Sequence, residues 1–522
     1  MTETSLESLD GRHVDVAIVG AGINGASAAQ HLAAAGYRVL AVDQGDFADG
    51  ATSRSSRLLH CGLRHLATGS NVWSYLLRPD RFARALGIVG ADMAARDEIV
   101  RTSPHRLRSF NFCLPIYSDD PYAPWQLDAA FTLLRLMSHK GVPLEYRRYR
   151  SSDLEAVPII PWLRDPGRLR SVAVFREYQF DWAERIALDA LFDARRMGAE
   201  IRNYTRVEKL ERAGGGGWRL TLAPTPVSQS ADGLPSARVT ADLVLNLAGA
   251  WVDRVILKSA IAARPKCVGL KGIHIAVHLP EPFAGWGLFA YNTIGEPLYC
   301  LPWRGMHYIG PTRTPFKDDA TRVAATDEEI DWIIGETNRC FPKLEIGRSD
   351  VLFTWAGVQP VTYDAEDPKG NREIKIHDLE ADGLPGIFTL TGGPIMTHRH
   401  VARRLVVTVG KRRAPSGRPR EPNFEPLDPE ADGNTPPMAS AAAVERSAQN
   451  EQPRNLADLL MRRLGVGWET DQGLALARPV AEAAAPHLGW SAGRIDAEVA
   501  AYKALLLSER RRPGDPEETA DG

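Results

Sequence analysis

Three glycines and one aspartate near the start of the chain have the spacing of a phosphate-binding turn. Gly20, Gly22 and Gly25 directly follow a short apolar run. The first glycine allows a tight turn, the second lets the backbone approach a pyrophosphate, and the third permits close packing of a helix on a strand. Asp43 lies about 20 residues further on, where a carboxylate accepts hydrogen bonds from ribose hydroxyls. The pattern predicts dinucleotide binding, with either a nicotinamide or a flavin cofactor.

A second segment with chemical potential follows almost at once. Residues 51–66, ATSRSSRLLHCGLRHL, contain three arginines and two histidines without a clear amphipathic period. A guanidinium in such a place can hold an anion in a forked geometry. For Arg54 and Arg57 we prefer the simpler interpretation, that they are surface cations or salt-bridge partners, and we interpret His65 as structural.

The hydrophobic pattern indicates which elements position these residues. Residues 14–19, 26–35 and 38–42 predict strand, helix and strand, which together form a complete βαβ unit that carries the glycine motif. Residues 205–223 predict a hairpin in which the four consecutive glycines form the turn. Residues 241–247 predict another buried strand.

The second half of the chain changes in pattern. Short runs of alternating apolar and polar residues over 271–309 predict an antiparallel sheet. The sequence TDEE caps a helix predicted over 326–338. Residues 413–453 are rich in Pro, Ala, Glu, Asp and Ser, which predicts a flexible linker. Residues 455–464 and 475–507 have helical spacing and predict a small terminal helical domain.

Composition narrows the functional class. The formal net charge is −2 over 522 residues, which gives no global signature of nucleic-acid binding. The 5 cysteines are scattered without paired spacing. This argues against a zinc site and a disulfide framework, so we expect no bound metal and a reducing compartment.

The same reasoning gives an expected location. The first residues, MTETSLESLDGRH, lack the apolar core of a signal peptide, and the long apolar stretch 14–42 is broken by polar residues. We expect a cytoplasmic protein. Peripheral attachment to the inner face of the cytoplasmic membrane and oligomerisation stay open.

Seven segments occur in an order that is specific to one family. They are VAIVGAGINGA, ATSRSSRLLHCGLRHL, NLAGAWVD, LKGIHI, LPWRGMHYIG, FTWAGVQP and FTLTGGPIMTHR. With them the chain resembles the aerobic, FAD-dependent glycerol-3-phosphate dehydrogenases, within the wider flavoprotein group that includes the D-amino-acid oxidases. The resemblance returns in the terminal segments NLADLLMRRLGVGW and HLGWSAGRIDAEVAAYKALL.

This resemblance implies the fold class and the division into domains. The fold is α/β, with a Rossmann-like FAD-binding domain, an antiparallel-sheet substrate domain and a small C-terminal helical domain. The expected bounds are 13–80, 181–265 and 350–412 for the FAD-binding domain, 81–180 and 266–349 for the substrate-binding cap domain, 413–453 for the linker and 454–510 for the helical domain.

The resemblance also implies cofactor contacts beyond the glycine motif. The segment after the second strand would run beside the flavin ring and approach it through hydroxyls and backbone. The paired glycines near the end of the resemblance would pack close to the same ring. The implied contacts are Thr52, Ser53, Ser56, Leu59, Gly249, Gly392 and Gly393.

Oxidising an alcohol with a flavin removes a hydride to the ring N5 and a proton from the hydroxyl, so the protein must supply a base or cation near the oxygen. His60, His274 and His398 are the candidate proton-handling residues. His274 is preferred, since it shares the family's Lys-Gly-x-His element with Lys271. The resemblance places Arg64 in the substrate pocket.

Five departures from the family pattern bear on the substrate. Gln359 stands where the family has arginine, Pro394 where it has lysine, and His398 where it has tyrosine. Cys61 replaces glycine, and Arg313 replaces aspartate. Losing two charge-assisted contacts would cost a phosphate site about 1.5–3 kcal/mol each. Arg313, and His398 when protonated, could restore positive charge.

Three functions remain open. One is oxidation of the CH–OH group of a small polar, anionic substrate such as glycerol 3-phosphate, with a quinone or O2 as electron acceptor. A second is an FAD-dependent dehydrogenase or oxidase of another alcohol, hydroxy acid or amine. A third is a non-catalytic flavin-binding protein. The candidate substrate contacts are Arg64, Arg313, Gln359 and Arg399.

Overall fold

The computed structural model describes residues 5–63, 79–118, 120, 123–138, 141–150, 152–226, 236–426 and 439–514. The strands in these ranges are β1 (His13–Val19), β2 (Val39–Val42), β3 (Leu58–Leu59), β4 (Leu107–Tyr117), β5 (Arg147–Tyr149), β6 (Leu169–Phe180), β7 (Glu200–Arg202), β8 (Thr205–Arg212), β9 (Trp218–Pro224), β10 (Ala237–Asn246), β11 (Cys267–Val277), β12 (Trp286–Tyr291), β13 (Pro297–Trp303), β14 (Met306–Gly310), β15 (Thr314–Phe316), β16 (Val351–Thr362), β17 (Lys375–Asp378) and β18 (Ile387–Thr391).

The helices are α1 (Ile23–Ala34), α2 (Pro79–Thr102), α3 (Pro124–Met137), α4 (Ala183–Arg196), α5 (Val252–Leu257), α6 (Asp327–Cys340), α7 (His398–Gly410), α8 (Ala441–Asn450), α9 (Ala477–Leu488) and α10 (Ala492–Glu509). A π-helical turn, Asp458–Arg463, precedes α9.

The first sheet is built around the predicted βαβ unit. Its strands run in the order β17, β18, β10, β1, β2, β7, and all neighbours from β18 to β7 are parallel. The hairpin of β8 and β9 joins the sheet through β10. Helices α1, α4 and α7 pack together through an apolar cluster on the sheet. The predicted α/β class with a Rossmann-like sheet is confirmed.

The second sheet is almost entirely antiparallel. It runs β15, β11, β14, β13, β12, β4, β6, β3, with β16 beside β11 and β5 beside β6, and only β12 with β4 is parallel. Helix α6 packs on this sheet through Ile330 and Ile333. The capping box of Thr326 and Glu329 begins this helix as the sequence predicts.

The segment predicted as a flexible linker is in part ordered and bound. The chain after α7 crosses the first domain, where Ser416 donates a hydrogen bond to Asp15 at 2.8 Å and the amide of Asn423 donates to Asp193 at 2.9 Å. Residues 441–450 form α8. The flexible-linker prediction is therefore wrong for these residues. The prediction rested on the scarcity of large apolar side chains in this segment, whereas the structure holds the segment through polar hydrogen bonds and small buried residues.

One buried arginine, Arg57, contacts all three parts of the molecule. Arg57, in the loop after β2, lies 2.7 Å from Glu184 of α4, and both side chains are fully buried. The guanidinium packs against two neighbouring indole rings, 4.5 Å from the centroid of Trp303 in β13 and 4.3 Å from that of Trp468 near the C-terminus. Cation–π contacts of this kind gain strength where water is excluded.

Replacing Glu184 with glutamine should leave the Arg57 charge buried without its counter-ion. We expect the free energy of unfolding to fall by about 3–5 kcal/mol, because breaking a buried pair exposes the full desolvation cost of the remaining charge. Urea denaturation followed by fluorescence measures this change. Glu482→Gln removes an exposed partner of Arg478 and should cost less than about 1 kcal/mol. Equal losses in the two variants would contradict the expectation.

Candidate active site

A cavity of about 2480 Å³ lies where the parallel strands of the first sheet end against one face of the second sheet. Its wall includes the turns after β1, β2 and β10, the strands β11 and β16, and the loop 392–397. Ligands of open parallel sheets bind at the carboxyl ends of the strands. This cavity is therefore the candidate active site.

The glycine motif forms one end of the cavity wall. Gly20 has φ +100°, and a side chain there would lie 2.6 Å from the carbonyl oxygen of Leu247. A Cβ on Gly25 would overlap the carbonyl oxygen of Gly20, so α1 can approach β1 this closely only without a side chain. Gly22 lines the cavity at the start of α1, and the hydroxyl of Thr52 accepts a hydrogen bond from Ile23 N at 3.0 Å.

Asp43 closes the same end. Its carboxylate accepts hydrogen bonds from the amides of Ala21 at 2.7 Å and Gly45 at 3.0 Å. Burial raises the pKa of Asp43 to about 7, against the two backbone hydrogen bonds, which lower it. The carboxylate lies at the cavity wall, where it can accept from ribose hydroxyls as the motif predicts.

The loop beyond Asp43 divides into a cavity side and a core side. Thr52 and Ser56 line the cavity. Ser53 and Leu59 are not among the described lining residues: the Ser53 hydroxyl donates to the carbonyl oxygen of Asp49 at 3.1 Å, and Leu59 is fully buried in β3. The structure therefore places these two predicted cofactor contacts on the core side of the segment, where they are packing residues.

The glycines expected near the flavin ring do line the cavity. Gly249, Gly392 and Gly393 all lie in its wall. Gly392 has φ +71°, a conformation that favours glycine. The side-chain amide of Asn24 donates to the carbonyl oxygen of Gly393 at 2.8 Å, which links the two glycine turns across the cavity. Sequence reasoning passed over Asn24, although its place inside the glycine motif was a usable signal.

His274, in β11, is buried at the cavity wall. Its Nε2 lies 3.0 Å from the Ser56 hydroxyl, and its ring stacks on Trp355 with centroids 4.8 Å apart. Burial, with a further contribution from Arg57, lowers the pKa of His274 to about 3, so the imidazole is neutral. Its Nδ1 is buried and has no hydrogen-bond partner among the described residues.

Lys271 borders the cavity but is already paired. Its ammonium lies 2.7 Å from Glu329 of α6. Lys271 and His274 are three positions apart on one strand, so their side chains leave opposite faces. Because Glu329 neutralises Lys271, His274 alone remains as the proton-handling candidate in this strand.

A charged cluster lies in the cavity wall near the predicted substrate residues. Arg313 approaches Glu296 only to 3.9 Å, beyond hydrogen-bond distance, whereas Lys369 lies 2.5 Å from the same carboxylate. The Arg313 Nε is buried and has no hydrogen-bond partner in the described ranges. Gln359 also lines the cavity. The sequence analysis does not identify Glu296 and Lys369, because 73 residues separate them and no local sequence pattern indicates that they pair.

His398 does not fit the role expected of it. It begins α7, is 2% exposed, and its Nδ1 contacts the carbonyl oxygen of Ile395 at 2.7 Å. It is not among the described residues that line the cavity. Burial, and then the nearby Arg399, lower the pKa of His398 to about 3. It is therefore uncharged and cannot restore the positive charge that the sequence analysis considered.

Arg399 is also a packing residue. Its guanidinium hydrogen-bonds the hydroxyls of Thr102 and, at 2.9 Å, Ser103, and lies 4.0 Å over the ring of Phe424. The predicted substrate contact is wrong, because α7 directs this side chain towards α2 rather than into the cavity, whose described lining does not include it.

The cations of segment 51–66 have different fates. Arg54 lies 2.8 Å from Glu509 and Arg57 pairs with Glu184, so the salt-bridge interpretation is confirmed, although Arg57 is fully buried rather than on the surface. Arg64 and His65 lie outside the described residues, and the role assigned to Arg64 stays a prediction.

Comparisons with known proteins identify the family to which the chain belongs. A family model described as FAD dependent oxidoreductase matches residues 15–406. A glycerol-3-phosphate dehydrogenase of Synechocystis sp. is 29% identical over 405 residues, 75% of this chain and 69% of that protein. An aerobic glycerol-3-phosphate dehydrogenase of Staphylococcus haemolyticus is 27% identical over 411 residues, 78% of this chain and 69% of that protein. The X-ray structure of the Bacillus halodurans glycerol-3-phosphate dehydrogenase, complexed with FAD, superposes with TM-score 0.69 at 20% identity and covers 97% of this chain and 96% of that chain.

The residues at the cavity fit FAD. The glycine turn leaves room for a pyrophosphate beside the N-terminus of α1, and Asp43 presents a carboxylate for the ribose. The cavity then continues past Gly249 and Gly392 to His274, which leaves space for a ring system at the second sheet.

Gly25→Ala should weaken FAD binding. A methyl group would collide with the backbone of Gly20, so the turn must open and the phosphate donors must move. We expect FAD affinity to fall at least about tenfold, equivalent to about 1.4 kcal/mol, measured by titrating the apoprotein with FAD. Gly493→Ala is the control, because a side chain there meets nothing within 4 Å. Wild-type affinity in Gly25→Ala would contradict this account of the motif.

Proposed function

The chain belongs to the family of FAD-dependent oxidoreductases, and from that premise we propose that it oxidises the CH–OH group of a small polar, anionic substrate. FAD supplies the hydride acceptor at the flavin N5. The observation that carries the proposal is the meeting, in one cavity, of the FAD cradle, a neutral buried histidine and an arginine whose Nε has no hydrogen-bond partner among the described residues.

His274 is proposed as the residue that receives the substrate's hydroxyl proton. Its uncharged ring can accept a hydrogen bond from an alcohol, and the Ser56 hydroxyl at 3.0 Å orients it. An anionic substrate beside the ring would raise the low pKa of His274, because a nearby negative charge favours imidazolium. The higher pKa makes His274 a stronger base, so proton transfer becomes easier once substrate is bound.

Arg313 is proposed as the anion-binding residue. Its Nε has no hydrogen-bond partner among the described residues, and its nearest carboxylate, Glu296, stays at 3.9 Å. A buried guanidinium donor left without a partner is costly, and a substrate carboxylate or phosphate would satisfy it in forked geometry. In the second sheet, Leu270 of β11 pairs with Pro315 of β15 on one side and with Gln359 of β16 on the other. Arg313, just before β15, therefore lies two strands from Gln359, where the family has an arginine.

Glycerol 3-phosphate is the first candidate substrate, on the strength of the relatives' names. The uncharged Gln359 and Pro394 in the cavity wall favour a second candidate, another alcohol, hydroxy acid or amine with a smaller anionic demand. A quinone or O2 is proposed as the electron acceptor. None of the helices within the described ranges combines the length and apolar character that a membrane crossing requires.

Anaerobic addition of substrate to the FAD-loaded protein tests the proposal. Bleaching of the flavin band by sn-glycerol 3-phosphate would support the first candidate. Bleaching by a 2-hydroxy acid or amine, but not by glycerol 3-phosphate, would support the second. A flavin that dithionite reduces and that none of these substrates reduces would overturn the proposed oxidation and favour a non-catalytic flavin-binding protein.

Arg313→Gln should weaken substrate binding and leave FAD in place. We expect the substrate concentration for half-maximal reduction to rise about 10- to 100-fold, the value of one charge-assisted contact. The flavin spectrum should be unchanged. Arg322→Gln is the control, since this exposed arginine is outside the described cavity lining. Unchanged substrate dependence in Arg313→Gln would remove Arg313 from this role.

The pH profile of kcat/KM should lack a histidine limb near pH 6.5. The pKa of His274 is lowered to about 3, so the neutral base persists as the pH falls and is lost only as the pH approaches about 3. The unfolded chain binds this proton near 6.5, so the folded protein loses stability between there and pH 3, and each assay pH needs a matching unfolding measurement. A limb near pH 6.5 that disappears in His274→Gln would contradict the lowered pKa, because it would show that His274 titrates in its ordinary range; a limb that persists in His274→Gln would belong to another group.

A further inference from the structure

Side chains of the C-terminal helical region bind one side of a loop, and the other side of that loop forms part of the active-site wall. We call residues 43–58 the cofactor loop, because most of its members line the cavity. Within the described residues, 439–514 contribute nothing to that lining. Any influence of the C-terminal region on FAD must therefore pass through the wall residues that it contacts, which are those of the cofactor loop and Tyr204, whose hydroxyl donates to Asp458 at 2.8 Å.

The strongest contact is made by Arg462, at the end of the π-helical turn. Its guanidinium lies 2.5 Å from Asp46, 2.8 Å from Asp49 and 2.6 Å from Asp458. Arg463 binds Asp46 from the other side through both terminal nitrogens. The buried carboxylate of Asp46 thus has two arginine partners, and Arg462 ties it to Asp49 in the cavity wall.

A second contact holds the other half of the loop. Glu509, the last residue of α10, lies 2.8 Å from Arg54, which lines the cavity. Three residues on, Arg57 lies against the ring of Trp468. The loop is therefore held at both halves by side chains that come from one distant stretch of chain.

The backbone of the loop needs such support. Ala48 has φ +62° and Arg57 has φ +54°, and neither is glycine. Residues other than glycine adopt this left-handed region at a cost, and keep it only where surrounding contacts over-determine it. Arg462 contacts Asp46 and Asp49, on either side of Ala48, and Glu509 contacts Arg54, three residues before Arg57.

We propose that the C-terminal helical region is a clamp that holds the cofactor loop in its FAD-binding conformation, with Arg462 and Glu509 as positioning residues. Neither residue touches the cavity, so neither is catalytic. Coupling of this kind is reciprocal: if the clamp favours FAD binding, bound FAD must stabilise the clamp by the same factor.

FAD titration of apoprotein variants tests the forward direction. Glu509→Gln should weaken FAD binding about three- to tenfold, the value of one partly buried ion pair. Arg462→Lys keeps the charge but loses the forked contacts with Asp46 and Asp49, and should weaken it more than about tenfold. The control is Asp496→Asn, which changes the charge equally in α10 but breaks only an exposed pair with Arg478.

Hydrogen exchange of the wild-type protein, with and without FAD, tests the reverse direction and requires no variant to fold. Exchange in α10 and in residues 456–468 should slow when FAD binds, although these residues lie outside the cavity wall. Wild-type FAD affinity in both clamp variants, equal weakening in Asp496→Asn, or exchange there that ignores FAD would each overturn the proposal.

Discussion

The buried guanidinium of Arg57 is the point on which the rest of the architecture depends. Its counter-ion belongs to α4 of the first domain, one flanking ring to the second sheet and the other to the C-terminal region. A charge removed from water needs all of these partners in place. The three parts of the molecule are thus held in one arrangement, and the cavity between the sheets keeps its shape.

The two ends of the cavity differ in the chemistry that their residues offer. At the end of the parallel strands, the wall offers glycine turns and the N-terminus of α1, which suit a cofactor's phosphates. At the second sheet the wall carries side-chain chemistry, with neutral His274 beside Ser56 and with Arg313 left short of partners. Under the proposed function, this separation allows the wall at the second sheet to vary, as at Gln359, without altering the glycine turns.

Local pattern was enough for the elements and for the cofactor cradle. Gly20, Gly25 and Asp43 act within one βαβ unit, so their spacing along the chain is also their spacing in the structure. The contact of Ser56 with His274 spans 218 residues, and no periodicity contains it. Predictions carried over from the family were wrong where the direction of a side chain determines whether it reaches the cavity. His398 and Arg399 begin a helix that directs both side chains away from the cavity.

The size of the cavity has a consequence for the protein's life in the cell. The cavity between the two sheets, of about 2480 Å³, presents a large wall that FAD would cover on binding. A cofactor that binds only the folded state draws the folding equilibrium towards that state, in proportion to its free concentration. Marginally stable chains are continuously removed by proteases. The amount of this enzyme that persists should therefore follow the flavin supply of the cell as well as the rate of synthesis.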